Sequence, residues 1–238
     1  LNGGLELSSP TCFSTKTFQY FAAARRNKKN KLWFERHRDE YEEYVKRPFE
    51  ELTRLLDLNF SSELPGIDFR PRKVSRPTLR TPADDGSLVR LNSYAFFSEK
   101  QTSQFEWNPG IYVSLGDPSK ENVLAIGLYM VSSRQMSRLR AGISENFSEI
   151  DSILSAKKLK SRWGQIGGEV YKRFPKGYDE NSPPAKYLRH KQFFLSQDVA
   201  PKEFCQKRFF DRVIQDVDQG LPFLQWVRKT VGVYQRRS

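Results

Sequence analysis

The sequence predicts one α+β domain, a mainly antiparallel sheet flanked by N-terminal and C-terminal helices. Three observations lead there. Apolar residues recur at helical spacing near both ends, while the middle carries three short extended runs. Turn residues separate those runs by links too short for parallel crossovers, which need a dozen or more residues. No internal repeat and no long low-complexity linker divides the chain.

Residues 1–14 read as an irregular lead-in and 15–238 as the domain. From Thr15 to about Arg26, Phe18, Phe21 and Ala22 share a helical face, with Arg25 and Arg26 where the helix dipole favours cations. Asn30 is placed to cap a second helix whose apolar stripe is Leu32, Trp33, Tyr41, Tyr44 and Val45. Pro48 breaks or restarts it before Phe49, Leu52, Leu55 and Leu56.

The chain changes character near Leu64-Pro65-Gly66. Across 69–80 it carries Arg70, Arg72, Lys73, Arg76 and Arg80 with no acid, and Pro71 and Pro77 confine any strand there to a sheet edge. A loop over 81–87 follows. Strands are expected over 88–97, 110–115 and 123–131, punctuated by Asn108-Pro109-Gly110 and Gly116-Asp117-Pro118. Ser132 or Ser133 caps the next helix, and Ser132 with Gln135 has capping-box spacing. A short helix over 147–154 leads to a second basic run, Lys157, Lys158, Lys160 and Arg162. Residues 169–174 are expected as a strand, Ser182-Pro183 as a helix start and 192–196 as a last strand. Pro201 opens a helix to about Val217, and 221–231 closes the fold.

The chain has 238 residues, with 40 Lys+Arg against 28 Asp+Glu, hence a net charge of +12. Only 37% is hydrophobic, yet 18 Phe and 10 Tyr supply core area that a disordered chain would lack. Cys12 and Cys205 make neither a disulfide framework nor a four-cysteine zinc site, and are expected as free thiols of a reducing cytoplasm. Of the two histidines, both His37 and His190 sit among basic residues. The acids Asp39, Glu40, Glu42, Glu43, Glu50 and Glu51 read as a solvated helix face, so no metal site is expected. Phosphate-loop, dinucleotide, zinc-protease and nucleophile-elbow motifs are absent, and no cofactor is expected. The longest nearly apolar run, 123–131, is far short of the roughly 20 residues of a membrane span. A cytoplasmic protein without membrane contact is the expectation.

What remains is positive charge interleaved with aromatics. Arg76, Arg80 and Arg90 come together provided the segments around them pair, and arginine suits bidentate capture of phosphate or carboxylate. Tyr94, Trp107 and Tyr112 are nearby candidates for stacking on a base or sugar. The competing reading makes these arginines surface charges, or partners of acids such as Glu42 and Glu43. Trp33-Phe34 reads more readily as a core anchor than as a stacking surface.

Three stretches carry a resemblance. Asn30-Lys31-Leu32-Trp33-Phe34, followed by Arg38, Tyr41, Val45 and Pro48, resembles an N-x-x-W-F…[KR]-x-x-Y…P opening. Residues 74–80 are similar to a central R-D-x-R-F element. Pro175-Lys176-Gly177-Tyr178-Asp179, with Pro184, Tyr187-Leu188-Arg189 and Lys191, resembles a P-x-G-[FY]-[DS]…P…L-R-x-K segment. Together, spread over roughly residues 18–226, they resemble the domain of unknown function 2461 family, conserved hypothetical proteins widespread in bacteria and present in fungi. The resemblance implies no activity. It does direct attention to Asn30, Trp33, Arg76, Arg80 and Lys191. Arg76-Pro77-Thr78-Leu79-Arg80-Thr81 departs from the family element by losing its acid and its aromatic. The family's following D-K-x-P-Y-K loop is echoed only by Asp84 and Arg90, without the Tyr.

Two functional readings stand. The first is binding of a phosphorylated small molecule or nucleic acid by an arginine-lined surface, with Arg76, Arg80, Arg90, Trp33, Lys191 and Asn30 as candidate ligand-binding residues. The alternative is an enzyme acting on a small anionic substrate, with the arginines stabilising charge and Asp84 or another carboxylate as base. A partner-binding role would instead require an exposed aromatic patch. No catalytic residue and no oligomeric state is assigned.

Overall fold

Helices open the chain, a sheet occupies its middle, and helices close it. The computed structural model describes residues 12–70, 74–99 and 107–232. Phe13, within the expected lead-in, is fully buried and meets Phe49, Phe204, Phe209 and Phe210 edge-on, with ring centres 5.1–6.2 Å apart. This one side chain gathers both ends of the chain into one core.

Helix α1 (Thr15–Arg26) begins where expected. In α2 (Lys31–Arg36) the Asn30 side chain accepts the Trp33 N–H at 3.1 Å, satisfying one donor that the helix start leaves over. Leu32, expected in the apolar stripe, is 67% exposed. A nearly unbroken run follows: α3 (Arg38–Tyr41), a π-helical turn (Glu42–Lys46) and α4 (Arg47–Phe60). Pro48 restarts the helix rather than ending it. Having no N–H, it cannot serve the Tyr44 carbonyl, and the buried Thr17 hydroxyl of α1 donates to that oxygen at 2.6 Å.

The sheet has strands β1 (Asn92–Ser98), β2 (Gly110–Gly116), β3 (Val123–Leu128) and β4 (Phe193–Asp198), in that order and all antiparallel. Alternation gives it two unlike faces. Ala95, Phe97, Ile111, Val113, Leu115, Leu124, Ile126, Phe193 and Leu195 are buried against the helices. Tyr94, Phe96, Tyr112, Ala125, Phe194 and Ser196 form the other face and are partly exposed. Regular pairing starts at Asn92 rather than at 88, because Leu88 and Val89 donate instead to the Lys28 carbonyl at 2.7 and 2.9 Å.

Beyond the sheet come α5 (Ser133–Glu145), α6 (Phe147–Ser155), α7 (Lys157–Trp163), α8 (Ala185–Leu188), α9 (Pro201–Phe204) and α10 (Phe209–Val231). Ser132 and Gln135 form the reciprocal capping box at the start of α5. Helix α10 packs on the buried face, with Phe223 stacked on Phe193 at 5.7 Å. At Gly220 a Cβ would lie 2.1 Å from Ile126 Cδ1, so glycine is what admits this approach.

Two further expectations are corrected. Residues 169–174 form no strand beyond the single bridge Val170↔His190, because the Arg189 guanidinium takes the Tyr171 and Lys172 carbonyls that a strand partner would need. The helix from Pro201 stops at Phe204. A new one begins at Phe209 and continues through Pro222, where the buried stripe Val213, Val217, Phe223, Leu224 and Val227 outweighs the lost backbone bond. Among the described residues, no helix is long and apolar enough to cross a membrane.

Candidate functional site

At the β1 edge of the sheet, an extended segment runs alongside. Val74 bridges Ala95, Ser75 N–H donates to the Tyr94 carbonyl at 2.7 Å, and Tyr94 N–H donates to Ser75 Oγ at 3.1 Å. Further on, Thr78 bridges Val89, Arg90 N–H donates to the Pro77 carbonyl at 2.8 Å, and Leu79 N–H donates to the Leu88 carbonyl at 2.9 Å. The pairing required to bring the arginine segments together is therefore present. Arg76 lies next to the Pro77–Arg90 bond, and Arg80 lies just past the Leu79–Leu88 bond. Arg72 and Lys73 of the same basic stretch fall outside the described residues.

Arg76 and Arg80 are exposed and Arg90 is partly buried. Among the described residues none of the three has an acidic partner. Glu42 is occupied by Lys46 at 2.6 Å, and Asp85 by Lys28 at 2.7 Å. The Arg90 guanidinium sits 5.6 Å from the centre of the Tyr94 ring, and its Nε is buried without a hydrogen-bond partner. A buried donor left without an acceptor is costly. Arg90 also influences two phenols. Burial pushes the Tyr41 phenol up to about 12, with the Ser93 hydroxyl and Arg90 opposing it. Burial likewise raises Tyr112, again with Arg90 acting against the shift.

The aromatic candidates divide into two pairs. Tyr94 and Tyr112 are tilted neighbours at 5.9 Å, while Trp107, 38% exposed, packs on Phe96 at 5.6 Å. Phe96 went unnoticed in the sequence, although its spacing of two from Tyr94 places both on one strand face.

The family-pattern residues do not all meet here. Asn30 is spent on its helix cap. Trp33 is 9% exposed, stacked on His37 at 4.4 Å and tilted against Tyr20 at 5.6 Å, so it serves the core. Their turn is nonetheless in contact with the arginine edge, since the Lys28 carbonyl holds Leu88 and Val89. Lys191 lies elsewhere, just before β4 on the opposite edge of the sheet. Its Nζ pairs with Glu169 at 2.5 Å and sits 5.6 Å from the Tyr171 ring centre. Among the described residues, Tyr20 Oη is another buried polar atom without a partner, on a ring 5.8 Å from that of Tyr41.

Asp84, the candidate base, is exposed at the turn tip. Among the described residues, cavities of about 430 and 800 Å³ are lined neither by Asp84 nor by the three arginines. The first is lined by Val170, Phe174 and Lys186, the second by Leu159, Arg162 and Asp216. Burial, followed by the charge of Cys12, pushes the Cys205 thiol up, opposite to what an activated nucleophile needs. Both cysteines are free. Among the described residues no three His, Cys, Asp or Glu side chains are grouped to hold a metal ion.

A family model described as conserved hypothetical protein (DUF2461) matches residues 16–226, most of the chain. No curated protein and no solved structure matches it.

Proposed function

The chain belongs to the DUF2461 family of conserved hypothetical proteins, and we propose that it binds an anionic ligand, phosphorylated or nucleic acid, along the arginine-lined edge of β1. The reading includes a cytoplasmic setting, in keeping with two free cysteines. One observation carries it. Arg76, Arg80 and Arg90 lie on one hydrogen-bonded pair of segments and have no acidic partner among the described residues, and Arg90 keeps a buried donor without an acceptor. Guanidinium groups without acidic partners suit the oxygens of phosphate or carboxylate.

The test compares the protein with the variant carrying Arg76→Gln, Arg80→Gln and Arg90→Gln, using fluorescence anisotropy of a labelled nucleotide and a labelled oligonucleotide. The expected result is binding of at least one probe at low salt by the unaltered protein and its loss in the variant. Equal binding by both proteins, or none by either, overturns the reading.

A further inference from the structure

We infer that the outer face of the sheet is a stacking surface for single-stranded nucleic acid, with its phosphates held at the arginine edge. This rests on the anion-binding reading above and names the ligand class for that site.

Phe96 pairs with Tyr112, Tyr112 with Ala125, and Ala125 with Ser196, so one row of side chains crosses all four strands on the outer face. The row begins with two aromatic rings and ends in two small side chains. Tyr112 therefore stands above its neighbours toward β3 and β4. Tyr94 lies diagonal to it, with ring centres 5.9 Å apart, and Trp107 widens the surface beside Phe96. Tyr94, Phe96 and Tyr112 are partly exposed, whereas every second residue between them is buried against the helices.

A four-stranded antiparallel face with partly exposed aromatic rings on adjacent strands can stack two or three unpaired bases. Such stacking tolerates any base, because each has a π-face. Charge selects this occupant. Arg90 bridges the two features, its guanidinium over the Tyr94 ring and its backbone in the arginine ladder. A strand stacked on Tyr94 and Tyr112 would run its backbone past Arg90 toward Arg76 and Arg80. A duplex hides the base faces that these rings would meet, and an acidic peptide has none.

The experiment is an anisotropy titration with labelled oligothymidylate, an abasic strand of the same length, a duplex, and polyglutamate as competitor. Variants are Tyr112→Leu, Tyr94→Leu and Tyr112→Phe, each checked for folding by circular dichroism. Oligothymidylate should bind about a hundredfold more tightly than the abasic strand, one tenfold factor from each stacking tyrosine. Each leucine variant should lose about tenfold on oligothymidylate and nothing on the abasic strand. Tyr112→Phe, which keeps a ring, should bind as the unaltered protein does. Equal affinity for base-bearing and abasic strands, or tighter binding of the duplex, overturns this inference and leaves the arginine reading intact. Displacement of the strand by equal charge concentrations of polyglutamate overturns it in favour of an acidic protein partner. Failure of every strand to bind overturns this inference alone, and the labelled-nucleotide titration above decides the arginine reading.

Discussion

Arg90 places its guanidinium 5.6 Å from the centre of the Tyr94 ring, on the strand edge where the Arg76 and Arg80 segment pairs. The contact joins the charged and the aromatic parts of the candidate site in one side chain. Arg90→Lys keeps the charge but loses the planar stack and the buried Nε donor. Affinity for a labelled oligonucleotide should fall by about 1 kcal/mol, roughly fivefold. Isothermal titration would read it.

Arg76 and Arg80 are exposed, so their contribution should be mainly counterion release. Replacing either with Gln is expected to reduce the slope of log affinity against log salt by about 0.7 for a single strand. Titrations over a series of salt concentrations would measure it.

Asp216 is 2% exposed on α10. It accepts from Arg162 of α7, lies 3.5 Å from Arg212 Nε, and accepts from Gln197 of β4 at 3.1 Å. Asp216→Asn removes the charge that offsets two arginines. A cost of about 3 kcal/mol is expected, read as a fall in melting temperature of roughly 6–12 °C.

Thr17→Val leaves the Tyr44 carbonyl without the side-chain donor that compensates for Pro48. Loss of the donor at this partly buried acceptor costs about 1 kcal/mol. Urea unfolding should show a lower midpoint with an unchanged slope.

Burial lowers the His190 pKa below its ordinary value of 6.5, and its Nδ1 is buried without a partner. A depressed folded-state pKa means that the unfolded chain takes up the proton first as pH falls. The stability associated with neutral His190 is complete above about 6.5 and is lost as pH drops through the lower folded value. His190→Gln should therefore flatten the decline in unfolding free energy between neutral and mildly acidic pH.

Local signals were legible in the sequence, and distant ones were not. Asn30 and the Ser132–Gln135 pair act within one helical turn, so spacing alone located both caps. Turn residues likewise bounded β2 and the start of β3, which ends at Leu128 rather than at 131. Phe13 and Pro222 show the opposite case. A lone aromatic in an irregular segment gives no periodic signal, and Pro222 lies within a helix held by packing that only the folded chain supplies. The strand expected over 169–174 failed because Arg189, well over a dozen residues away, captured its carbonyls. For the site, the acid-free run around Arg76 and Arg80 was visible, and its pairing with Arg90 was conditional on a register that the fold supplies. Lys191 resembled the same family pattern, yet the width of the sheet separates it from the arginines.

The most direct test of the account is the affinity of a labelled oligonucleotide for the protein and for its Arg76→Gln, Arg80→Gln, Arg90→Gln variant at low salt. Measurable binding that weakens steeply with salt and is abolished in the variant is the expected result. Binding that is unchanged by the three substitutions would contradict it.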